Sequence, residues 1–501
     1  MWQHHQRTDL LDNLTDIFDI SFKVLTAIYY VVSIFTIFFI LLDNKNPAKT
    51  VSYIVAIIAL PFVGLIIYFL FGRNFRKDKI FSRKELFDDK KIKEWQRKHS
   101  NAFFESELIQ EKLLPQSQKI ARQLFFNSRA VLTTNNKVDF LINGERKYEA
   151  LLEDIKNAEN HIHLEYYIIE DGEHTGELFS ALTDKAKEGV EVRMLFDSVG
   201  SSSLKSSTVR ELRKHVVKVE SFMPVFFPQF TSKINYRNHR KIVVIDGKTG
   251  YVGGINLSDR YLNVPGEKAK TYWRDSHFRI EGEAVVQLQI QFILNWNFAS
   301  TEQLGHTNEY FPDQPQLETP KLVQIAASGP DSDWESIMLA LFTAIASSSK
   351  YVYIQSPYFI PNSSMVNALI AAAQGGVDVR LMIPSSSDTK ITQLAGFSYL
   401  RPLLEADVKI YLYTKGFLHA KTVVVDDQFT SVGTANMDIR SFYTNFEINA
   451  FIYDIETAKK AREIFEDDLK HSEMMNPERW KNRKLLYKIL ESFARLFSPL
   501  L

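Results

Sequence analysis

Two homologous α/β lobes behind an N-terminal transmembrane helical hairpin are the fold predicted for this chain of 501 residues, and three observations predict it. Two uncharged apolar runs lie within the first 71 residues. Helix-like stretches then alternate with apolar strands. Finally, GVEVRMLFDS (Gly189 to Ser198) returns as GVDVRLMIPS (Gly376 to Ser385), a repeat of 187 residues, too long for a solenoid and suited to two homologous domains.

The first run, Val24 to Leu42, holds 19 residues without a charge, enough at about 1.5 Å per residue to cross roughly 30 Å of hydrocarbon. The second, Val51 to Phe71, is also uncharged and contains Pro61 and Gly64, residues tolerated in membrane helices. The flank before the first run is acidic, which argues against a cleaved signal peptide. Arg73, Arg76, Lys77, Lys79, Arg83 and Lys84 follow the second run, so the expected location is a cell membrane crossed twice, with the C-terminal part cytoplasmic. The expected organisation is a membrane hairpin over 1–76, a charged helical linker over 77–130, a first lobe over 131–310, a second over 311–475 and an amphipathic C-terminal helix over 476–501. The lobe boundary falls in a polar stretch carrying Pro312, Pro315 and Pro320.

Composition excludes several chemistries. Sixty basic residues balance sixty acidic ones, so no bulk field holds a polyanion such as nucleic acid. Cysteine is absent, which removes disulfides, thiol nucleophiles and thiolate metal sites.

The repeats share a second feature. NHRKIVVIDGKTGYVGGIN places His239, Lys241 and Asp246, then Gly253, Gly254 and Asn256; LHAKTVVVDDQFTSVGTAN places His419, Lys421 and Asp426, then Gly433, Thr434 and Asn436. Within the motif the spacing matches residue for residue, although the copies are 180 residues apart, so the first lobe carries about seven extra residues before its motif. A His and a Lys two apart on a strand share one face. Duplicated imidazole, ammonium and carboxamide groups suit a phosphodiester: Lys241, Lys421, Asn256 and Asn436 can clamp the phosphoryl oxygens, one histidine can attack phosphorus, and the other can protonate the leaving alkoxide. Each histidine needs an orienting partner on its other nitrogen, and Asp275 and Glu447, at equivalent places in the repeat, are the candidates. Asp246 and Asp426 complete the motif and count with the catalytic set; their strand-end position suits holding a turn better than touching phosphorus.

These motifs resemble the phospholipase D superfamily over about residues 135 to 460, with Gly254 and Thr434 where Ser is common. The whole chain is similar to bacterial cardiolipin synthases, through PFVGLIIYFLFGR (Pro61 to Arg73), IHLEYYI (Ile162 to Ile168), QSPYFIP (Gln355 to Pro361) and the ending ESFARLFSPLL (Glu491 to Leu501). The resemblance implies phospholipase D-like α/β/α lobes with mixed central sheets. It implies transfer of a phosphatidyl group between two phosphatidylglycerol molecules in the bilayer, giving cardiolipin and glycerol, with no metal, no cofactor and no nucleic-acid partner. It also implies His239 as nucleophile and His419 as acid and base, roles that the symmetric motif leaves open. A hydrolytic phospholipase D or a phosphatidylserine synthase would differ in the acceptor, a nuclease would gain nothing from membrane spans, and a non-catalytic scaffold would have no use for two complete motifs.

Three features lie outside the motif. His161 and His163, with Glu165, lack a complete metal shell and read as core residues. FMPVFFPQF (Phe222 to Phe230) suits a lid or an acyl-chain contact. The C-terminal stretch from Arg479 to Leu501 is basic early and apolar late, which suits either docking on the second lobe or contact with a bilayer surface.

Overall fold

The computed structural model describes residues 2–43, 47–69, 111, 113–223, 235–263 and 271–501. The basic residues between Arg73 and Lys84, most of the expected linker, the aromatic loop beyond Met223 and the end of the second apolar run lie outside the described residues.

The N-terminal unit begins with one helix, Trp2–Asp43. Its stretch Asp19–Leu42, 24 residues with a mean hydropathy of 2.4, is among the described residues the one helix long and apolar enough to cross a membrane. The second apolar run is not a continuous helix. Helix Pro47–Ala59 stops where Pro61 offers no N–H to the ladder and Phe62 takes a left-handed backbone (φ 63°), and a short helix Val63–Ile67 resumes beyond. The Tyr29 hydroxyl donates to the Ile57 carbonyl, and Ile40, Ile57, Leu65 and Tyr68 are buried around it.

The larger unit holds two mixed sheets of matching order. In the first, seven strands run Asn136–Ile142, Ser276–Gly282, Thr249–Gly253, Ile242–Ile245, His161–Tyr166, Glu191–Asp197, Lys218–Phe222; the last three are parallel to one another and the other pairs antiparallel. In the second, Leu322–Ser328, Glu447–Tyr453, Phe429–Gly433, Thr422–Val425, Tyr351–Gln355, Asp378–Pro384 and Lys409–Tyr413 repeat that order, and Leu132–Thr133 and Ser472–Met474 add a strand at each edge. Strands buried on both faces read as unbroken apolar runs such as IVVI and TVVV. Their residues alternate between two cores. Val243 and Ile245 face helices of the first lobe, whereas Ile242 and Val244 join Val323, Ile325, Val432 and Ile448 in a core shared by both sheets.

Residues expected in the linker, and the first residues of the expected first lobe, join the second lobe. Helix Pro115–Ser128 places Ile120, Ala121 and Leu124 in that lobe's core, and Leu132–Thr133 pairs with Leu322–Ser328.

Candidate active site

Each motif segment crosses to the opposite lobe before entering its own sheet. His239 and Lys241 lie in extended chain just ahead of Ile242–Ile245, and His419 and Lys421 likewise precede Thr422–Val425. There Phe417–Leu418 pairs in parallel with Trp273–Arg274 of the first lobe, and Asn238 bridges Phe446 of the second. The His239 N–H donates to the Phe446 carbonyl (3.0 Å) and the His419 N–H to the Arg274 carbonyl (2.7 Å). This pseudo-symmetric exchange puts each histidine beside the next residue of the other lobe, Glu447 for His239 and Asp275 for His419.

Side chains follow the backbone. His239 Nδ1 lies 3.0 and 2.9 Å from the two Glu447 carboxylate oxygens, and His419 Nδ1 lies 2.7 Å from Asp275 Oδ2. A carboxylate on Nδ1 leaves Nε2 as the nitrogen available to a ligand. Glu447 is completely buried and also accepts from the Thr434 hydroxyl (2.5 Å) and Asn445 Nδ2 (3.2 Å). In the first lobe Gly254 stands in place of Thr434, and a Cβ there would come within 2.2 Å of Asp275 Oδ1. The shorter carboxylate thus fits against bare backbone and the longer one against a hydroxyl. Lys241 Nζ donates to the His239 carbonyl (2.6 Å); Lys421 Nζ donates to the His419 carbonyl and lies 2.8 Å from His419 Nδ1.

The electrostatics follow from burial. Desolvation lowers His239 below the usual imidazole value against the opposing pull of Glu447, and desolvation with the adjacent Lys421 charge pushes His419 down to about 3. Burial also lowers Lys241 to about 7 and Lys421 to about 8, while Glu447 and Asp275 pull both back up. Burial would raise Glu447, but His239 and Lys241 hold it below the usual carboxylate range. Burial therefore favours neutral imidazoles and makes both lysines easier to deprotonate than ordinary ones.

The remaining expected residues divide. Asn256 and Asn436 are buried in the loops after the glycine turns: Asn256 donates to the Tyr261 hydroxyl (2.6 Å) and accepts from the Ile168 N–H (3.1 Å), and Asn436 Nδ2 donates to Asp438 (3.0 Å). Tyr261 in turn packs against His419, with ring centroids 5.6 Å apart. Asp246 and Asp426 sit at the far ends of their strands. Both adopt left-handed backbone (φ 53° and 54°), and each accepts three backbone N–H groups at 2.7 to 2.9 Å, from Glu159, Asn160 and His161 in one lobe and Ser349, Lys350 and Tyr351 in the other. His163 stacks on Phe292 and bonds Gln289, while Glu165 accepts from Asn238 and Asn295; among the described residues no group of side chains has the make-up of a metal site.

Several residues around the histidines escaped the motif reading. The Tyr167 ring lies 4.9 Å from His239 and 5.4 Å from the Lys241 ammonium, and Trp273 and Phe417 lie 5.4 and 5.8 Å from His419. Tyr167 follows a parallel strand at its C-terminal end, where ligands of α/β sheets gather, and that position was the available signal. Arg240 and Arg274 are also buried between the lobes, Arg240 donating to the Glu447 carbonyl and Asn295, Arg274 to Asp468.

Comparison with known proteins identifies the family. Residues 151–285 and 341–469 match the family described as cardiolipin synthase, PLD-like domain, and residues 31–73 match a phospholipase D-nuclease N-terminal family. The chain is 41% identical to the major cardiolipin synthase ClsA of Bacillus subtilis over 486 residues, covering 96% of this chain and 99% of that one. It is 41% identical to a cardiolipin synthase of Staphylococcus aureus strain Mu50 over 473 residues, covering 93% and 94% of the two chains. In fold it resembles the crystal structure of a phosphatidylserine synthase from Haemophilus influenzae, with a TM-score of 0.57 at 14% identity, over 77% of this chain and all of the other. Two PLD-like matches on two sheets of one order, and identity along nearly the whole length of curated relatives, establish that the chain belongs to the cardiolipin synthase family of phospholipase D-like proteins.

Proposed function

We propose that the protein is a phosphatidyltransferase that makes cardiolipin and glycerol from two phosphatidylglycerol molecules of the bilayer in which it is anchored. The observation that carries this reading is the pair of buried histidines, each held through Nδ1 by a carboxylate of the opposite lobe and each accompanied by a lysine. His239 attacks phosphorus through Nε2 as the neutral imidazole, forming a phosphatidyl-histidine as the bond from phosphorus to the glycerol oxygen breaks. His419 gives its proton to that oxygen, then takes one from the terminal hydroxyl of the second phosphatidylglycerol, which attacks the phosphohistidine and frees His239. Two displacements give retention at phosphorus.

Charge explains how one imidazole becomes the acid. Two lysines and two carboxylates balance, so the phosphodiester brings an uncompensated negative charge that favours protonation of both lysines and of His419. Lys241, Lys421, Asn256 and Asn436 hold the phosphoryl oxygens, and Asp246 and Asp426 brace the strands that carry the motifs. We read residues 1–76 as a two-span membrane segment whose second span is interrupted at Pro61, 77–114 as a linker, 134–310 as the first lobe, 311–475 with 115–133 as the second and 476–501 as a C-terminal segment, with the lobes cytoplasmic; the uncharged run to Phe71 and the basic residues after it support this.

Purified full-length protein given labelled phosphatidylglycerol alone tests the proposal. Cardiolipin with roughly equimolar glycerol is expected; phosphatidic acid with glycerol would make water the acceptor and the protein a hydrolytic phospholipase D.

A further inference from the structure

The C-terminal helix Leu485–Arg495 carries its apolar face away from the protein. At about 100° per residue, Leu485, Leu486, Ile489, Phe493 and Leu496 form one stripe. All are solvent-exposed, Leu485 by 71%, Phe493 by 60% and Leu496 by 73%. The buried residues of this helix are Glu491 and Ala494. Glu491 is neutralised by Arg483 (3.0 Å), Ala494 joins the core of the second lobe, and the Arg495 guanidinium covers the Tyr399 ring at 4.3 Å. A helix that buries an alanine and a carboxylate paired with the adjacent Arg483 while presenting leucine and phenylalanine to solvent is inverted relative to an ordinary surface helix, and its outward face needs a cover.

Two observations say what covers it. Residues 477–501 hold six basic side chains (Arg479, Lys481, Arg483, Lys484, Lys488, Arg495) against two acidic ones in a chain of zero net charge, a composition complementary to an anionic lipid surface. The helix also sits on the side of the site. It packs against Lys390–Phe397, which follows the loop where Asp388 accepts from Tyr358; the turn Ser498–Leu500 packs against Ile439–Tyr443, whose capping Asp438 accepts from Asn436.

We propose that the stripe Leu485, Leu486, Ile489, Phe493 and Leu496 is an interfacial membrane contact that seats the second lobe on an anionic phospholipid bilayer. This contact is separate from the N-terminal helix and brings the site to its lipid substrates. It rests on the reading that those substrates are bilayer lipids, but the labelling test of the contact itself requires no turnover.

Because the chain has no cysteine, Ile489→Cys in the stripe and Lys214→Cys, an exposed polar position on helix Ser206–Lys214 of the first lobe, in the full-length protein each give a single site for a nitroxide label. In vesicles containing phosphatidylglycerol, the label at 489 should be reached by oxygen and shielded from a water-soluble nickel relaxant, and the label at 214 should show the reverse. In phosphatidylcholine vesicles the shielding at 489 should fall several-fold. Equal nickel access at both positions would overturn the proposal, as would spin-spin broadening at 489 showing that a second copy covers the stripe; equal shielding in both vesicles would overturn the anionic preference. Phe493→Ser should raise the apparent KM for vesicle-borne phosphatidylglycerol several-fold with kcat unchanged, and an unchanged KM would count against a contact that delivers substrate.

Discussion

Glu447 and Asp275 set the chemistry of the histidines they face, and they do so unequally. Glu447 opposes the effect of burial on His239 and is itself held ionised by His239 and Lys241. Replacing it with Gln removes the charge that favours imidazolium, so the pKa of His239 should fall further. In a pH profile of kcat/KM for Glu447→Gln, the acidic limb governed by the nucleophile should move to lower pH, with kcat reduced about a hundredfold or more through lost orientation. A limb that stays in place or moves up would contradict the role given to Glu447. The lysines make a prediction of opposite sign. Burial lowers them to about 7 and 8, so raising the pH through that range removes the positive charge proposed to hold the phosphodiester. KM for phosphatidylglycerol should therefore rise between about pH 7 and 9, more steeply than an ordinary lysine near 10.4 would produce. The two histidines, lysines and asparagines were legible because a duplicated motif at fixed spacing is a chemical signature that needs no fold. Trp273 and Phe417 were not legible, since an aromatic in a strand more often fills a core, and only the packed lobes bring these rings to the histidines.

At the scale of elements, the crossing of Phe417–Leu418 onto Trp273–Arg274, with Asn238 onto Phe446, aligns the site. Backbone pairing fixes register, so each carboxylate arrives beside its histidine without relying on long, flexible side chains. Asp246 and Asp426 serve at the other ends of the same strands by gathering three N–H donors each. Asp426→Ala would leave the donors of Ser349, Lys350 and Tyr351 without their acceptor. The expected cost is about 1 to 3 kcal/mol, or more if several donors stay dry, measured as a shift of the urea midpoint without a change in m. A midpoint within error of the parent would remove the bracing role. The second apolar run shows the limit of reading hydropathy by length: Val51 to Phe71 lacks charge throughout, yet Pro61 divides it, because a missing N–H and a clashing ring interrupt a helix whatever its hydropathy.

At the scale of the whole molecule, several of the described histidines are buried and held neutral. Burial lowers His161 to about 4, puts His163 and His277 well below the usual imidazole value, and with Lys421 takes His419 to about 3. Unfolding would return each to about 6.5, so below that pH the unfolded chain binds protons that the native chain refuses. The stability these groups contribute is complete above about 6.5 and is lost as the pH falls toward their native values. The melting temperature should therefore drop steeply from pH 7 to pH 5, and a flat profile across that range would show that these imidazoles are not buried neutral. The sequence by itself determined the repeat, the paired α/β lobes, the long apolar N-terminal helix and the duplicated motif, because periodicity, charge-free length and residue spacing are local properties. Only the tertiary structure decided which carboxylate serves which histidine, that residues 115–133 join the second lobe, and that the C-terminal helix turns its apolar face outward. Those outcomes depend on which surfaces meet once the two sheets share a core, and no local pattern encodes that choice.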